Sequence, residues 1–131
     1  MTAMSNYLEG KVTDHFLRGS PVTSPGAVYL ALFESDPGED GSGTETSYTN
    51  YARQLSTWTA LDGNGQTKNV DAVAFPANGN AAADVTLTHG AIYDAAVGGN
   101  LLFKGPLAST KTLSPGDVVA YAANALAITL N

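Results

Sequence analysis

At 131 residues the chain is long enough for one domain with a real core, and the absence of cysteine removes disulfides, thiolate metal ligation and a cysteine nucleophile. Six basic against twelve acidic residues leave a formal charge of -6, which argues against a nucleic-acid surface because phosphate contacts need clustered Lys and Arg. No stretch reaches the roughly 18 apolar residues of a membrane span, and the first residues lack the basic and apolar regions of a signal peptide, so the expectation is a soluble protein made in the cytosol, with no membrane partner.

Residues 5 to 18 predict a helix. Leu8, Val12 and Phe16 recur at four-residue spacing with Tyr7 and His15 beside them, while Ser5 is placed to cap the start and Gly19 to end it. The internal Gly10 costs about 1 kcal/mol relative to Ala, so the helix needs a surface to dock on. That surface is either its own domain or a neighbouring chain, because an amphipathic face reads the same in both cases. His15 has no His, Asp or Glu three or four residues further on, and so reads as a core-edge histidine rather than a metal ligand.

Residues 27 to 33, Ala-Val-Tyr-Leu-Ala-Leu-Phe, carry no charge, Gly or Pro and lie between Ser24-Pro25-Gly26 and Asp36-Pro37-Gly38. Seven residues between two such breaks are short for a helix, so they predict a central strand buried on both faces. Residues 34 to 50 predict a long polar loop that concentrates Glu34, Asp36, Glu39, Asp40 and Glu45. Loops of this length are functional or mobile. An EF-hand register starting at Asp36 finds Asp40 and Gly41 in place, but Gly38 stands at its third position and Ser47 at its twelfth, where the bidentate acid belongs. A solvated loop, or one that docks on a partner's basic patch, is the better reading, and no metal is assigned.

Tyr51 to Leu61 alternates Leu55, Thr57 and Thr59 with Gln54, Ser56, Trp58 and Ala60, which suits a strand. Asp62-Gly63-Asn64-Gly65 is a hairpin turn, with a return strand from about Gln66 to Phe75 ended by Pro76. Val85 to Ala95 reads as a strand whose Gly90 marks a bulge or a close backbone approach. A turn at Val97–Asn100 leads into Leu101–Gly105, closed by Pro106. After the turn Ser114-Pro115-Gly116-Asp117 come two last strands, 118–122 and 125–130. The whole predicts one domain over residues 1–131, mainly β: an antiparallel β-sandwich, jelly roll or barrel of seven or eight strands with one N-terminal helix.

Chemistry has little to work with. His15 and His89 are the two histidines, and neither lies in a motif that couples a nucleophile to a base. His89 could pair with Asp94, but such a pair in a β protein is usually a structural hydrogen bond. No catalytic residue and no cofactor is assigned, and a non-enzyme is expected.

Three stretches carry a resemblance. Ala27–Pro37, then Gly43-Thr44-Glu45, then Tyr51-Ala52-Arg53-Gln54 is similar to the opening block of a family of small tailed-bacteriophage structural proteins. His89–Ala95, Gly98–Leu107, Ser114–Asp117 and the closing Ala-Leu-Ala-Ile-Thr-Leu resemble its second half. Members are commonly labelled tail fibre or minor virion proteins, and related small β-modules serve as capsid cement. The resemblance implies a virion component synthesised in the host cytoplasm, with the major capsid protein or other virion proteins as partners. No heptad or repetitive stem is present, whereas cementing a shell calls for compact symmetric clusters, so a homo-oligomeric head-decoration protein clamping capsid subunits is the leading expectation. Tail fibre, adaptor or baseplate component is the alternative. A carbohydrate-binding module, with Trp58 and Tyr48 or Tyr51 on an exposed face, is a third. The contact residues expected are Tyr7, Leu8 and Phe16 on the helix, Asp36, Glu39 and Asp40 on the loop, facing basic groups of a partner, and Trp58.

Overall fold

The computed structural model describes residues 1 and 3–130. In chain order the elements are β1 (Ala3–Met4), α1 (Asn6–Arg18), β2 (Val28–Phe33), β3 (Gln54–Ser56), β4 (Gln66–Lys68), β5 (Val73–Ala74), β6 (Val85–Tyr93), β7 (Leu101–Leu113), β8 (Ala120–Tyr121) and β9 (Ala127–Thr129). The strands β1, β7, β6, β2 and β3, in that spatial order, form one antiparallel sheet, while β4 pairs with β9 and β5 with β8 in separate antiparallel ribbons. The chain is thus mainly β with one N-terminal helix, as its alternation and turn spacing require.

The apolar run at β2 is a strand buried on both faces, flanked by β6 and β3. Alternation sends Leu30 and Leu32 to one side and Ala31 and Phe33 to the other, and all four are essentially inaccessible. Leu30 and Leu32 join Leu87, Ile92 and Leu102 from the same sheet, and Val73, Phe75, Val119 and Ile128 from the ribbon regions. This main core therefore lies between the sheet and the ribbons, the layering of a sandwich. Ala31 and Phe33 join Ala91, Tyr93 and Leu101 in a second cluster on the opposite face. Each buried Leu or Phe contributes about 1.5–3 kcal/mol against exposure, so both faces of β2 anchor the fold.

Several boundaries differ from the sequence expectation. The strand expected over 51–61 pairs with β2 only at 54–56. The chain then leaves the sheet, and its hairpin with 66–75 survives as a bridge between Trp58 and Asn69 and a few backbone bonds. Beyond that bridge β4 and β5 take partners more than 45 residues away, β9 and β8, because alternation dictates which face a residue takes and not which strand it pairs with. Pro106 does not close a strand. The ladder between β6 and β7 slips between Leu87/Lys111 and His89/Pro106, and this bulge in β7 holds Pro106 at a break in the hydrogen-bond ladder, a place that tolerates a residue without N–H. Gly90 pairs in register with Gly105 and Leu32. Its role is the close approach rather than the bulge, since Met1 lies across both glycines.

Candidate functional site

Helix α1 begins where β1 leaves the sheet. The buried Ser5 donates its hydroxyl to the Leu101 carbonyl and its N–H to Leu102 O at 2.9 Å, while its Oγ accepts from Leu8 N at 3.1 Å. One side chain thus ties the helix to β7 and caps it, the cap being worth about 1 kcal/mol. Gly19, at φ 70°, ends the helix in the left-handed conformation. Glu9 in the first turn and His15 and Arg18 in the last complement the helix dipole, and Arg18 pairs with Asp14 at 2.9 Å.

None of the helix's residues is buried. Leu8 is half-buried and packs against the main core. Tyr7 and Val12 lie open, Phe16 is 75 % exposed and Leu17 81 %. His15 is exposed too, with its Nδ1 3.0 Å from Ser20 O and its ring edge-on to Phe16, so it closes the helix end instead of lining the core. A 13-residue helix is marginal by itself in water, and this one presents Val12, Phe16 and Leu17 of its C-terminal half to solvent.

The polar loop after β2 is stitched to its own base. Glu34 N donates to Thr44 O at 2.8 Å, Gly43 N to Pro37 O at 3.1 Å, and Thr46 N to Leu32 O at 2.9 Å. Asp36 and Glu39 converge on Lys104 of β7, at 3.0 and 3.3 Å from its Nζ. These two expected contacts for a partner's cation therefore already hold a cation of the same chain. Asp40 instead accepts from Ser42 N at 3.0 Å. The Glu39 carbonyl accepts from Asn6 N at 3.1 Å, which joins the loop to the start of α1, and a cleft of about 160 Å³ between them is lined by Tyr7, Glu39 and Asp40 together with Asn100 and Leu101. The fold thus brings Tyr7, Glu39 and Asp40 together, with Asp36 joined to Glu39 through Lys104, while Leu8 packs on the main core. Phe16 and Leu17 lie further along the same helix, and the sequence pattern missed Leu17.

The Gly38 N–H, first, and the Lys104 ammonium, second, hold the Asp36 carboxyl below the usual carboxylate range. A depressed carboxylate stabilises the fold above its unfolded value, and that contribution is lost as pH falls through the folded one. Lys104→Met is therefore expected to move Asp36 back toward, but not fully to, the ordinary range, since the Gly38 bond remains. A carboxyl titration followed by NMR would read this, and an unmoved Asp36 would mean that the ion pair does not hold in solution.

Trp58 is elsewhere. It is half-buried against the main core, and its Nε1 donates to Ser56 Oγ at 3.0 Å. Tyr48 is buried with its hydroxyl on Pro76 O, and Tyr51 turns its hydroxyl inward to Glu45, so the three aromatics do not form an exposed stacking face. His89 and Asp94 do not pair: His89 Nδ1 lies 2.8 Å from Thr88 Oγ1, and Asp94 takes both the N–H and the side-chain amide of Asn100.

A second constellation went unread in the sequence. Arg53, with 8 % of its side chain exposed, binds Glu45 bidentately at 2.8 Å through Nε and Nη2. Its Nη1 donates to Ala95 O and Gly98 O at 2.9 and 2.7 Å, and its guanidinium lies 3.7 Å from the centre of the Tyr93 ring. Tyr51 adds a 2.8 Å bond to Glu45 and accepts from Leu32 N at 3.1 Å. Burial, helped by the adjacent Glu45 carboxylate, pushes the Tyr51 hydroxyl far above its ordinary pKa, so it stays a donor. The network borders an open cleft of about 480 Å³, but its charges are spent on one another and on backbone carbonyls, the signature of a structural lock between the loop and the β6–β7 turn.

A family model described as Podophage GP4 fiber I protein gp80 matches residues 3–129. No curated protein matches the chain.

Proposed function

The chain belongs to the Podophage GP4 fiber I protein gp80 family, and from that membership we propose that it serves as a fibre subunit of the phage particle, a single β domain held to a neighbouring virion protein through the outward face of α1. Membership of a phage fibre family supports reading it as a structural, non-enzymatic component of the virion that associates with other virion proteins. The observation that carries the attachment role is the helix itself: capped at both ends and fixed to β7 by Ser5, it buries no residue and displays Phe16 and Leu17. An apolar helix face of this kind is a common docking element for a groove on a partner. The patch of Tyr7, Glu39 and Asp40 at its foot adds a polar rim. A capsid-cement role draws on the same patch, without a family description behind it.

Electron cryo-microscopy of purified particles carrying the wild-type chain or Phe16→Ser with Leu17→Ser tests both points. Density on the tail fibres is expected, with the double variant incorporated far less. Removing two buried apolar side chains from an interface weakens binding on the order of a hundredfold, while the isolated protein should melt as the wild type does. Density in clusters over the shell would make the chain a cement protein. Unchanged incorporation of the variant would remove α1 as the attachment element.

A further inference from the structure

We propose that Asn64 is a site of spontaneous deamidation, and that its conversion loosens the C-terminal strand β9. The chain has two Asn-Gly pairs, Asn64-Gly65 and Asn78-Gly79, and in such pairs the missing glycine side chain leaves the following backbone nitrogen open to the asparagine amide. The reaction needs that nitrogen and the asparagine Cγ to meet. The Gly65 N attacks Cγ of Asn64, forming a C–N bond as the Cγ–Nδ2 bond breaks, and ammonia leaves with the proton from Gly65 N. Water then opens the resulting succinimide. Attack at Cγ gives aspartate, and attack at the backbone carbonyl gives isoaspartate, whose main chain runs through the former side chain and is one methylene longer.

The fold treats the two pairs oppositely. Asn78 is 1 % exposed, its Nδ2 donates to Ala83 O and Leu113 O, and its Oδ1 accepts from Asn80 N. Gly79 N is held by Thr49 O at 2.9 Å, and Gly79 is pressed against the Asn50 side chain, so neither reacting atom is free to move. Asn64 is exposed at the tip of the β4 hairpin, and its side chain makes no hydrogen bond with the described residues. Here Asp62 N donates to Gln66 O at 2.8 Å, and Gly65, at φ 74°, is the left-handed residue of a three-residue loop. The brake on its nitrogen is one long bond, 3.2 Å to Asp62 O.

The product matters because the turn carries the end of the chain. Gly65 O accepts from Leu130 N at 2.8 Å, and Gln66 Nε2 donates to Thr129 Oγ1 at 3.1 Å. An extra methylene immediately before Gly65 displaces that carbonyl from Leu130, and either product adds a negative charge beside Asp62, whose own carboxylate is held ionised by the Gln66 and Asn64 N–H groups.

Trypsin separates the two sites, since residues 54–68 contain Asn64 as their one asparagine and residues 69–104 contain Asn78. The folded protein, kept at mildly alkaline pH and mapped by mass spectrometry over time, is expected to convert Asn64 more than about tenfold faster than Asn78, the factor that an opening free energy above about 1.4 kcal/mol imposes on a locked site. In denaturant the two should react alike. Asn64→Gln should remain homogeneous, and aged wild-type protein should show faster hydrogen exchange at Thr129 and Leu130 than the aged Gln variant. Equal rates at the two sites in the folded protein, or an Asn64 that stays intact, would overturn the assignment. Unchanged exchange at Leu130 in the isoaspartate fraction would overturn the loosening of β9.

Discussion

Glu45→Ala is expected to destabilise the protein by about 3 kcal/mol or more, because it strips a nearly buried guanidinium of its paired charge. Arg53 has 8 % of its side chain exposed and spends two of its bonds on Glu45, so the alanine variant leaves an uncompensated cation stacked on Tyr93 and takes away the acceptor of the Tyr51 O–H, which keeps only the bond from Leu32 N. Arg53→Met, which keeps the stem and removes the charge, should cost less than Arg53→Ala. The double variant Glu45→Ala with Arg53→Met should be more stable than the sum of its parts predicts, since no unpaired charge then remains. Denaturant unfolding with a shared m-value checks the series. A loss below about 1 kcal/mol for Glu45→Ala, the worth of an exposed pair, would show that the network is solvated and not a lock.

Asn69 is the second large effect. It is fully buried, and its amide ties its own segment to the one between β8 and β9: Nδ2 donates to Asp71 O and Ala122 O, both at 2.9 Å, and Oδ1 accepts from Leu126 N at 2.9 Å. Its own backbone adds bonds to Leu126 O and from Asn124 N. The side chain thus replaces a strand partner where β4 ends and the segment between β8 and β9 turns. Asn69→Ala orphans the Asp71 carbonyl and the Leu126 N–H and takes one of two donors from Ala122 O, which keeps Ala125 N, for a loss of about 3 kcal/mol. Asn69→Asp has nearly the same shape yet should be worse at neutral pH, because both donors vanish and a buried carboxylate faces two carbonyl oxygens. Thermal melts of the two variants at neutral pH decide it. An aspartate variant as stable as the wild type would mean that the amide bonds are not made in solution.

The parts of this fold that were legible in the sequence are those fixed by local chemistry. Ser5 and Gly19 bound α1 because a cap and a left-handed stop need nothing distant, and residues 28–33 were readable as a doubly buried strand from their unbroken apolar run between two Pro-Gly breaks. What failed was long-range partnership. Nothing in Gln66–Lys68 points to Ala127–Thr129, and Pro106 reads as a stop unless the bulge beside it is known. The same holds at the site. Five acids crowd the loop, and spacing does not tell that Glu45 is the one that meets Arg53 while Asp36 and Glu39 meet Lys104. Arg53, two residues after Tyr51 and just before the strand that pairs with β2, was the one available signal. The exposure of Phe16 and Leu17 was equally hidden, since a helix face that docks at home and one that docks abroad have identical periodicity.

The sheet ends on both sides in very short strands, two residues of β1 and three of β3. On the β7 side, however, β1 covers Phe103 and Lys104 alone, and the longer outer edge beyond them is broken as a stacking template by Pro106, which lacks an N–H, by the bulge beside it and by Lys111. Inside an infected cell, where many copies of a particle component accumulate before assembly, these interruptions work against runaway fibrillation by strand addition.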